Sequence, residues 1–142
     1  MKQKLIPAFM DVARRFAQES SARRLQVGSI VVKDDRIISI GYNGTPPGWD
    51  NNCEIELEDG TLRTKNEVIH AEQNALYKLA KSTESALDAD MFITHAPCFE
   101  CAKGIYVSGI KRVFYCYDYR SQEGIDFLRN CGIQVLKINN ET

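Results

Sequence analysis

Apolar positions along the chain follow two rhythms. Over residues 3–19, Leu5, Phe9, Val12, Ala13 and Phe16 recur at helical spacing, which predicts an amphipathic helix covering a core. Pro7 is compatible because it falls in or near the first turn. Val27–Lys33 and Arg36–Tyr42 then read as strands joined by a tight Asp34-Asp35 turn, an antiparallel hairpin. Ile37, Ile38 and Ile40 make the second strand nearly continuous in apolar residues, as expected when both faces are covered. Between Asn43 and about Asn66 no period is visible. Long aperiodic loops inside compact domains are usually functional or mobile, so this one is expected to form the rim of a pocket.

Beyond that loop, helix and strand patterns alternate. Helices are expected over Ala71–Lys81, Cys98–Ser108 and Gln122–Asn130, and strands over Met91–His95, Arg112–Tyr117 and Ile133–Ile138. Gly109 and Gly132 sit where the second and third of these helices should stop. Strands separated by single helices imply right-handed parallel crossovers. The expected fold class is α/β, a three-layer α/β/α sandwich around a five-stranded mixed sheet. Neither a repeat nor a linker interrupts the pattern, so 1–142 is read as a single domain.

The chemistry concentrates in two short stretches, His70-Ala71-Glu72 and Pro97-Cys98-Phe99-Glu100-Cys101. One imidazole and two thiols suit a zinc ion whose fourth position is left to water. Both stretches fall where a helix begins, so exposed N–H groups and the helix dipole favour the thiolates a metal needs. Cys98 and Cys101 share one face of a first turn. Glu72, two residues from His70, is placed to move protons beside a metal-held water. Cys-x-x-Cys alone could be a redox pair, but His70 and Glu72 would then have no role. A closed structural zinc site would need a fourth protein ligand, for which His95 or Cys116 are the candidates.

Composition narrows the partners. Charged residues make up 26% and the formal net charge is −1, which gives no general grip on polyanions, so nucleic acid is not expected as a partner. No apolar run approaches a membrane span, and Met1-Lys2-Gln3-Lys4 leads into a helix rather than a signal peptide. Five cysteines without a secretory signal point to a reducing, cytoplasmic setting, the host cytoplasm if the source is viral. Cys53, Cys116 and Cys131 are read as core or surface residues. Trp49, Phe114, Tyr115 and Tyr117 are expected to pack rather than stack on bases. Arg23 and Arg24 read first as a solvated face and second as phosphate contacts.

The order H-x-E…P-C-x-x-C is the signature of zinc-dependent nucleobase deaminases. Over nearly its whole length the chain resembles the deoxycytidylate (dCMP) deaminases of the cytidine-deaminase-like superfamily, in their short viral and eukaryotic form. The resemblance rests on Gln26-Val27-Gly28, Gly41-Tyr42-Asn43-Gly44-Thr45-Pro46 and His70-Ala71-Glu72-Gln73-Asn74-Ala75. It continues through Pro97-Cys98-Phe99-Glu100-Cys101-Ala102-Lys103, Ser108-Gly109-Ile110-Lys111 and Tyr119. It implies hydrolysis of dCMP to dUMP and ammonia, one catalytic Zn2+ held by His70, Cys98 and Cys101, and Glu72 as proton shuttle. It further implies Asn43 near the sugar and phosphate, the Ala71 backbone at the cytosine edge, and Tyr119 in the nucleotide pocket. Gln26 and Arg24 are the remaining substrate-binding candidates. The family is typically a hexamer, activated by dCTP and inhibited by dTTP with Mg2+, near Gly44, Thr45 and Pro46. A second, structural zinc would need Cys53, which lacks companions in its region. His95 stands where relatives are usually apolar. Other readings are a tRNA, nucleic-acid or nucleoside deaminase of the same superfamily, and a regulatory nucleotide-binding protein with a silent site. A nucleic-acid enzyme would want a basic surface or C-terminal helix, whereas this sequence finishes on Asn139-Asn140-Glu141-Thr142.

Overall fold

The computed structural model describes residues 2–138, so Asn139-Asn140-Glu141-Thr142 lie outside the described residues. A single 3-10 turn, Gln3–Leu5, leads into α1 (Ile6–Ala17), with Pro7 in its first turn where a missing N–H costs nothing. The hairpin is β1 (Gly28–Lys33) and β2 (Arg36–Tyr42). Its turn residues Asp34 and Asp35 have φ of 52° and 59°, the two left-handed positions a two-residue hairpin loop requires. The expected long loop contains a short ribbon that periodicity did not reveal, β3 (Glu54–Glu56) paired antiparallel with β4 (Leu62–Thr64). There follow α2 (Ala71–Leu79), β5 (Asp90–His95), α3 (Phe99–Val107), β6 (Arg112–Tyr117), α4 (Glu123–Asn130) and β7 (Gln134–Lys137).

The main sheet has five strands in the order β2-β1-β5-β6-β7. β1 pairs antiparallel with β2 and β5, while β5, β6 and β7 run parallel. The expected mixed sheet is therefore the observed one.

Alternation along the strands sorts the core into two layers. On one face Phe9, Met10 and Ala13 of α1 meet Ile30, Val32, Phe92 and Phe114. Phe92 and Phe114 stack at 4.6 Å with planes 12° apart. Each large apolar side chain buried there contributes about 1.5–3 kcal/mol. On the other face Val31, Met91, Ile93, Val113 and Val135 carry α2, α3 and α4 through Ala75, Leu79, Ile105, Ile125 and Leu128. That is the α/β/α sandwich. Asp90, buried at the start of β5, receives Nε and Nη2 of Arg112 at 2.7 and 3.0 Å, which locks the start of the parallel pair β5/β6.

Two glycines let the helices approach the elements that carry the chemistry. A Cβ on Gly41 would lie 2.2 Å from the Ala71 carbonyl oxygen and 2.6 Å from the Ala75 nitrogen. One on Gly124 would lie 2.2 Å from the Pro97 carbonyl oxygen. Bare backbone at these positions sets how closely the first turn of α2 lies on β2, and how closely α4 packs on the Pro97-Cys98 turn.

Candidate metal centre and active site

His70 and Cys98 are the residues immediately before α2 and α3, both in extended conformation with φ of −71°. A residue in that conformation turns its side chain back across the helix start, where unpaired N–H groups and the positive end of the dipole lie. The backbone N–H of Cys101 accordingly points at Cys98 Sγ, 3.4 Å away. The side chain of Gln73 reaches back to the His70 N–H at 3.0 Å and fixes that helix start as well.

The two helix starts bring the expected ligands together. His70 Nδ1 lies 3.1 Å from Cys101 Sγ and 3.7 Å from Cys98 Sγ, and the ligand atoms of the three residues all fall within 4.8 Å of one another. Donors about 2.0–2.3 Å from a tetrahedral ion stand roughly 3.3–3.8 Å apart, so this trio fits zinc with one position open. Both thiols are free of disulfides. Among the described residues this is the group of three His, Cys, Asp or Glu side chains that could hold a metal ion. Neither fourth-ligand candidate belongs to it. His95 Nδ1 is 2.9 Å from Thr94 Oγ1, and Cys116 Sγ, buried under α1, accepts from Arg14 Nη2 at 3.2 Å.

One donor of the group already favours its anion, while the other two hold protons that a bound cation would displace. The Cys98 thiol is pushed down to about 4, first by the hydrogen bond from Cys101 and then by His70. Cys101 moves up, because it is the partner that keeps the proton beside that thiolate. His70 is raised, chiefly by its bond to Cys98. Glu72 is 5% exposed, and burial pushes its carboxyl above the ordinary range. A carboxyl that can hold a proton beside an open metal position is equipped for general acid–base work.

His70 and Cys98 open onto a cavity of about 580 Å³, enough for a nucleotide-sized ligand, while Cys101 is buried and does not line it. Of the residues expected from sequence, Arg24, Asn43, His70, Ala71, Glu72, Cys98 and Tyr119 line it. Gln26 does not: its amide braces the Ser20 carbonyl at 2.8 Å. Asn43 has both ends of its amide engaged, accepting from Val27 N at 2.9 Å and donating to Leu25 O at 2.8 Å, so it holds the cavity wall in shape. Ala71 is fully buried and its carbonyl accepts from Ser29 Oγ at 2.9 Å.

Sequence reasoning did not single out Glu54, Thr64, Val68, Asp118 or Arg120, which also line the cavity. Glu54 is a buried carboxylate, 2% exposed, that accepts the N–H groups of Arg23 and Arg24 at 2.8 and 3.1 Å. Burial alone would raise its pKa, but those two N–H bonds and the Arg23 guanidinium outweigh it and hold the carboxyl below the ordinary range. The signal available was the Asp59-Gly60 turn between two short apolar-polar runs. Two aromatics depart from the packing expectation: Trp49 is 60% exposed and Tyr117 lines the cavity mouth, whereas Phe114 and Tyr115 are core.

A second cavity of about 270 Å³ lies beside the first. The loop residues Gly44, Thr45 and Pro46 line it together with Tyr42, Trp49, Asn74 and Lys78, and Asn43 borders both cavities. The Gly44 N–H is taken up by the Ile69 carbonyl at 3.1 Å, and Ile69 N returns a bond to Gly44 O at 2.8 Å. That bridge ties the loop to the residue preceding His70.

The chain matches the family model of the cytidine and deoxycytidylate deaminase zinc-binding region over residues 3–117. It is 34% identical to the deoxycytidylate deaminase of Enterobacteria phage T4, with 91% of this chain and 87% of the phage protein covered. Against the deoxycytidylate deaminase of Saccharomyces cerevisiae it is 33% identical over 89% of its length, spanning 42% of the yeast protein. The dCMP deaminase of cyanophage S-TIM5, solved in complex with dCMP and dUMP, superposes with a TM-score of 0.90 at 47% identity, covering 97% and 99% of the two chains. With a His, Cys, Cys group that could hold a metal at the start of two helices and the similarity running along nearly the full length, the chain belongs to the cytidine and deoxycytidylate deaminase family.

Proposed function

We propose that the protein is a zinc-dependent deoxycytidylate deaminase, converting dCMP and water to dUMP and ammonia. The observation that carries this reading is the His70, Cys98 and Cys101 donor set with buried Glu72 beside it, opening into one nucleotide-sized cavity. Similarity to the cyanophage protein solved with dCMP and dUMP supports the choice of substrate.

The donor set fits the ion: two sulfurs and one imidazole nitrogen at tetrahedral spacing, with one thiol already favouring its anion. Zinc bound there would supply Lewis acidity and lower the pKa of a water toward neutrality. Glu72 takes up the first proton that the attacking water loses and passes it to the ring nitrogen. It then takes the second proton from the oxygen added to the ring and delivers it to the departing amine, which leaves as ammonia. Its raised pKa serves both halves of that cycle, since a carboxyl that is always ionised returns protons poorly. Ala71, Asn43 and Tyr119 all line the cavity. In this reading the Ala71 backbone meets the cytosine edge, while Asn43 and Tyr119 serve the sugar and phosphate end.

Regulation belongs to the same reading. The second cavity takes a triphosphate with Mg2+, dCTP activating and dTTP inhibiting, in a homo-hexamer located in the cytoplasm. Asn43, shared by both cavities, and the Gly44–Ile69 bridge next to His70 give a short path between them. Activator and inhibitor must then differ in affinity for two conformations, because equal binding shifts nothing.

The test is ammonia release from dCMP, CMP, deoxycytidine and cytosine, each with and without Mg·dCTP or Mg·dTTP. The reading predicts strong preference for dCMP and sigmoidal kinetics that turn hyperbolic with Mg·dCTP. Equal efficiency on deoxycytidine rejects the monophosphate substrate. Hyperbolic kinetics indifferent to both triphosphates reject the regulation alone.

A further inference from the structure

The stretch Ser20–Val27 forms one wall of the larger cavity, contributing Ala22, Arg24, Leu25 and Val27. It has no helix or strand between Ser20 and Val27, so side chains from elsewhere must hold it. Asn43 fixes one end of it through Val27 and Leu25. The other end is held by the β3/β4 ribbon. Glu54 on β3 accepts the consecutive N–H groups of Arg23 and Arg24, and Thr64 on β4 accepts Arg24 Nη1 at 2.9 Å. Glu54 and Thr64 face each other in the ribbon register, which makes the two anchors one rigid unit. Arg24 is thus gripped twice, at its backbone and at its guanidinium.

A guanidinium has five N–H donors in a planar fork, and Thr64 occupies one nitrogen only. Among the described residues the remaining donors stay available to an anion. Arg120, the other arginine on the cavity, is exposed, and among the described residues it meets its neighbour Tyr119, at the hydroxyl (3.5 Å) and over the ring, so it lacks a comparable fixed position. A buried carboxylate needs full compensation, and here it comes from two backbone N–H groups of the cavity wall together with the Arg23 guanidinium at 3.4 Å. Burying Glu54 therefore ties the ribbon to the wall and aims Arg24.

Resting on the dCMP reading above, we infer that Arg24 is the specificity-determining contact to the 5′-phosphate, and that Glu54 and Thr64 are positioning residues that preset its guanidinium. The ribbon is thereby the part of the long loop that distinguishes a nucleotide from a nucleoside. A bidentate Arg–phosphate contact is geometrically demanding, so a looser guanidinium weakens substrate binding before it affects chemistry.

The experiment measures kcat and KM for dCMP and for deoxycytidine in the zinc-loaded wild type and in R24A, E54Q, T64V and T64S. It adds the double variants R24A/E54Q and R24A/T64V. Zinc content and thermal melting are recorded for each. R24A is expected to lose about 10- to 100-fold in kcat/KM on dCMP, mostly through KM, with a much smaller loss on deoxycytidine. E54Q and T64V should raise KM for dCMP several-fold, and T64S, which restores the hydroxyl, should recover it. In the R24A background E54Q and T64V should cost little more, since they act through Arg24. Equal losses on dCMP and deoxycytidine in R24A, from a wild type that prefers dCMP, overturn the assignment of Arg24 alone. Undiminished effects of E54Q and T64V in the R24A background overturn the positioning role. A wild type indifferent to the 5′-phosphate overturns the substrate reading and the role of Arg24 with it.

Discussion

Replacing Gly41 by alanine tests whether close packing of α2 on β2 positions the chemistry. The added methyl would sit 2.2 Å from the Ala71 carbonyl oxygen, where ordinary contact begins near 3.4 Å. Both obstructing atoms are backbone, the Ala71 oxygen and the Ala75 nitrogen 2.6 Å away, so no side chain can swing aside. The first turn of α2 must retreat by about 1 Å, and His70 and Glu72 move with it. Overpacking of this kind costs about 1–3 kcal/mol. A chain of this length loses roughly 0.3 kcal/mol per degree near its midpoint, so Tm should fall by about 3–10 °C. A 1 Å misplacement of reacting groups costs on the order of 10²-fold in rate. Scanning calorimetry and steady-state deamination of dCMP on zinc-loaded protein give both numbers. G104A is the control and should not lower Tm or turnover, because a Cβ there meets nothing within 4 Å and Gly104 lines neither cavity. A G41A protein that melts with the wild type and turns over at its rate would refute the claim that this contact sets the site.

Glu72→Gln should retain zinc and the fold but lose about 10²–10⁴-fold in kcat, read by metal analysis beside turnover. Chelation should abolish activity and lower Tm, and zinc should restore both, because a ligand that binds only the folded state stabilises it in proportion to its occupancy. Glu54→Gln should flatten the acid limb of stability. The Glu54 carboxyl is held below its ordinary value, so its contribution is present above about pH 4.5 and fades as pH falls through the folded value. The Tm gap between wild type and E54Q, about 1–3 kcal/mol in free energy at neutral pH, should therefore close on acidification. A gap that widens toward acid would contradict the assigned direction.

The sandwich was legible because its elements are long and regular. Leu5 and four apolar residues of α1 recur at helical spacing, and the alternation of helix and strand after Asn66 left little ambiguity. The isoleucines of β2 marked a strand, but β2 is an edge strand with Ile37 exposed and Ile38 and Ile40 half-buried, not the strand covered on both faces that they suggested. The His70, Cys98 and Cys101 group was legible as a motif, since its members fall at the starts of two helices that sequence could place. The β3/β4 ribbon was not, because strands of three residues are too short to establish a period of two. Glu54 escaped for a related reason: nothing local marks a carboxylate whose partners are backbone N–H groups some thirty residues away. Gln26 and Arg24 are near neighbours in sequence, yet one braces Ser20 and the other faces the cavity, a difference set by ribbon contacts that local sequence does not encode. Trp49 illustrates the converse error, a large aromatic that rims a cavity instead of filling the core.

Stepwise addition of zinc to metal-free protein, following bound metal and dCMP turnover in the same samples, tests the central claim most directly. Activity should rise in proportion to bound zinc and level off at one ion per chain. Cys98→Ala and Cys101→Ala should bind far less and stay inactive. Full dCMP turnover by the metal-free protein, or undiminished zinc in both cysteine variants, would contradict the account.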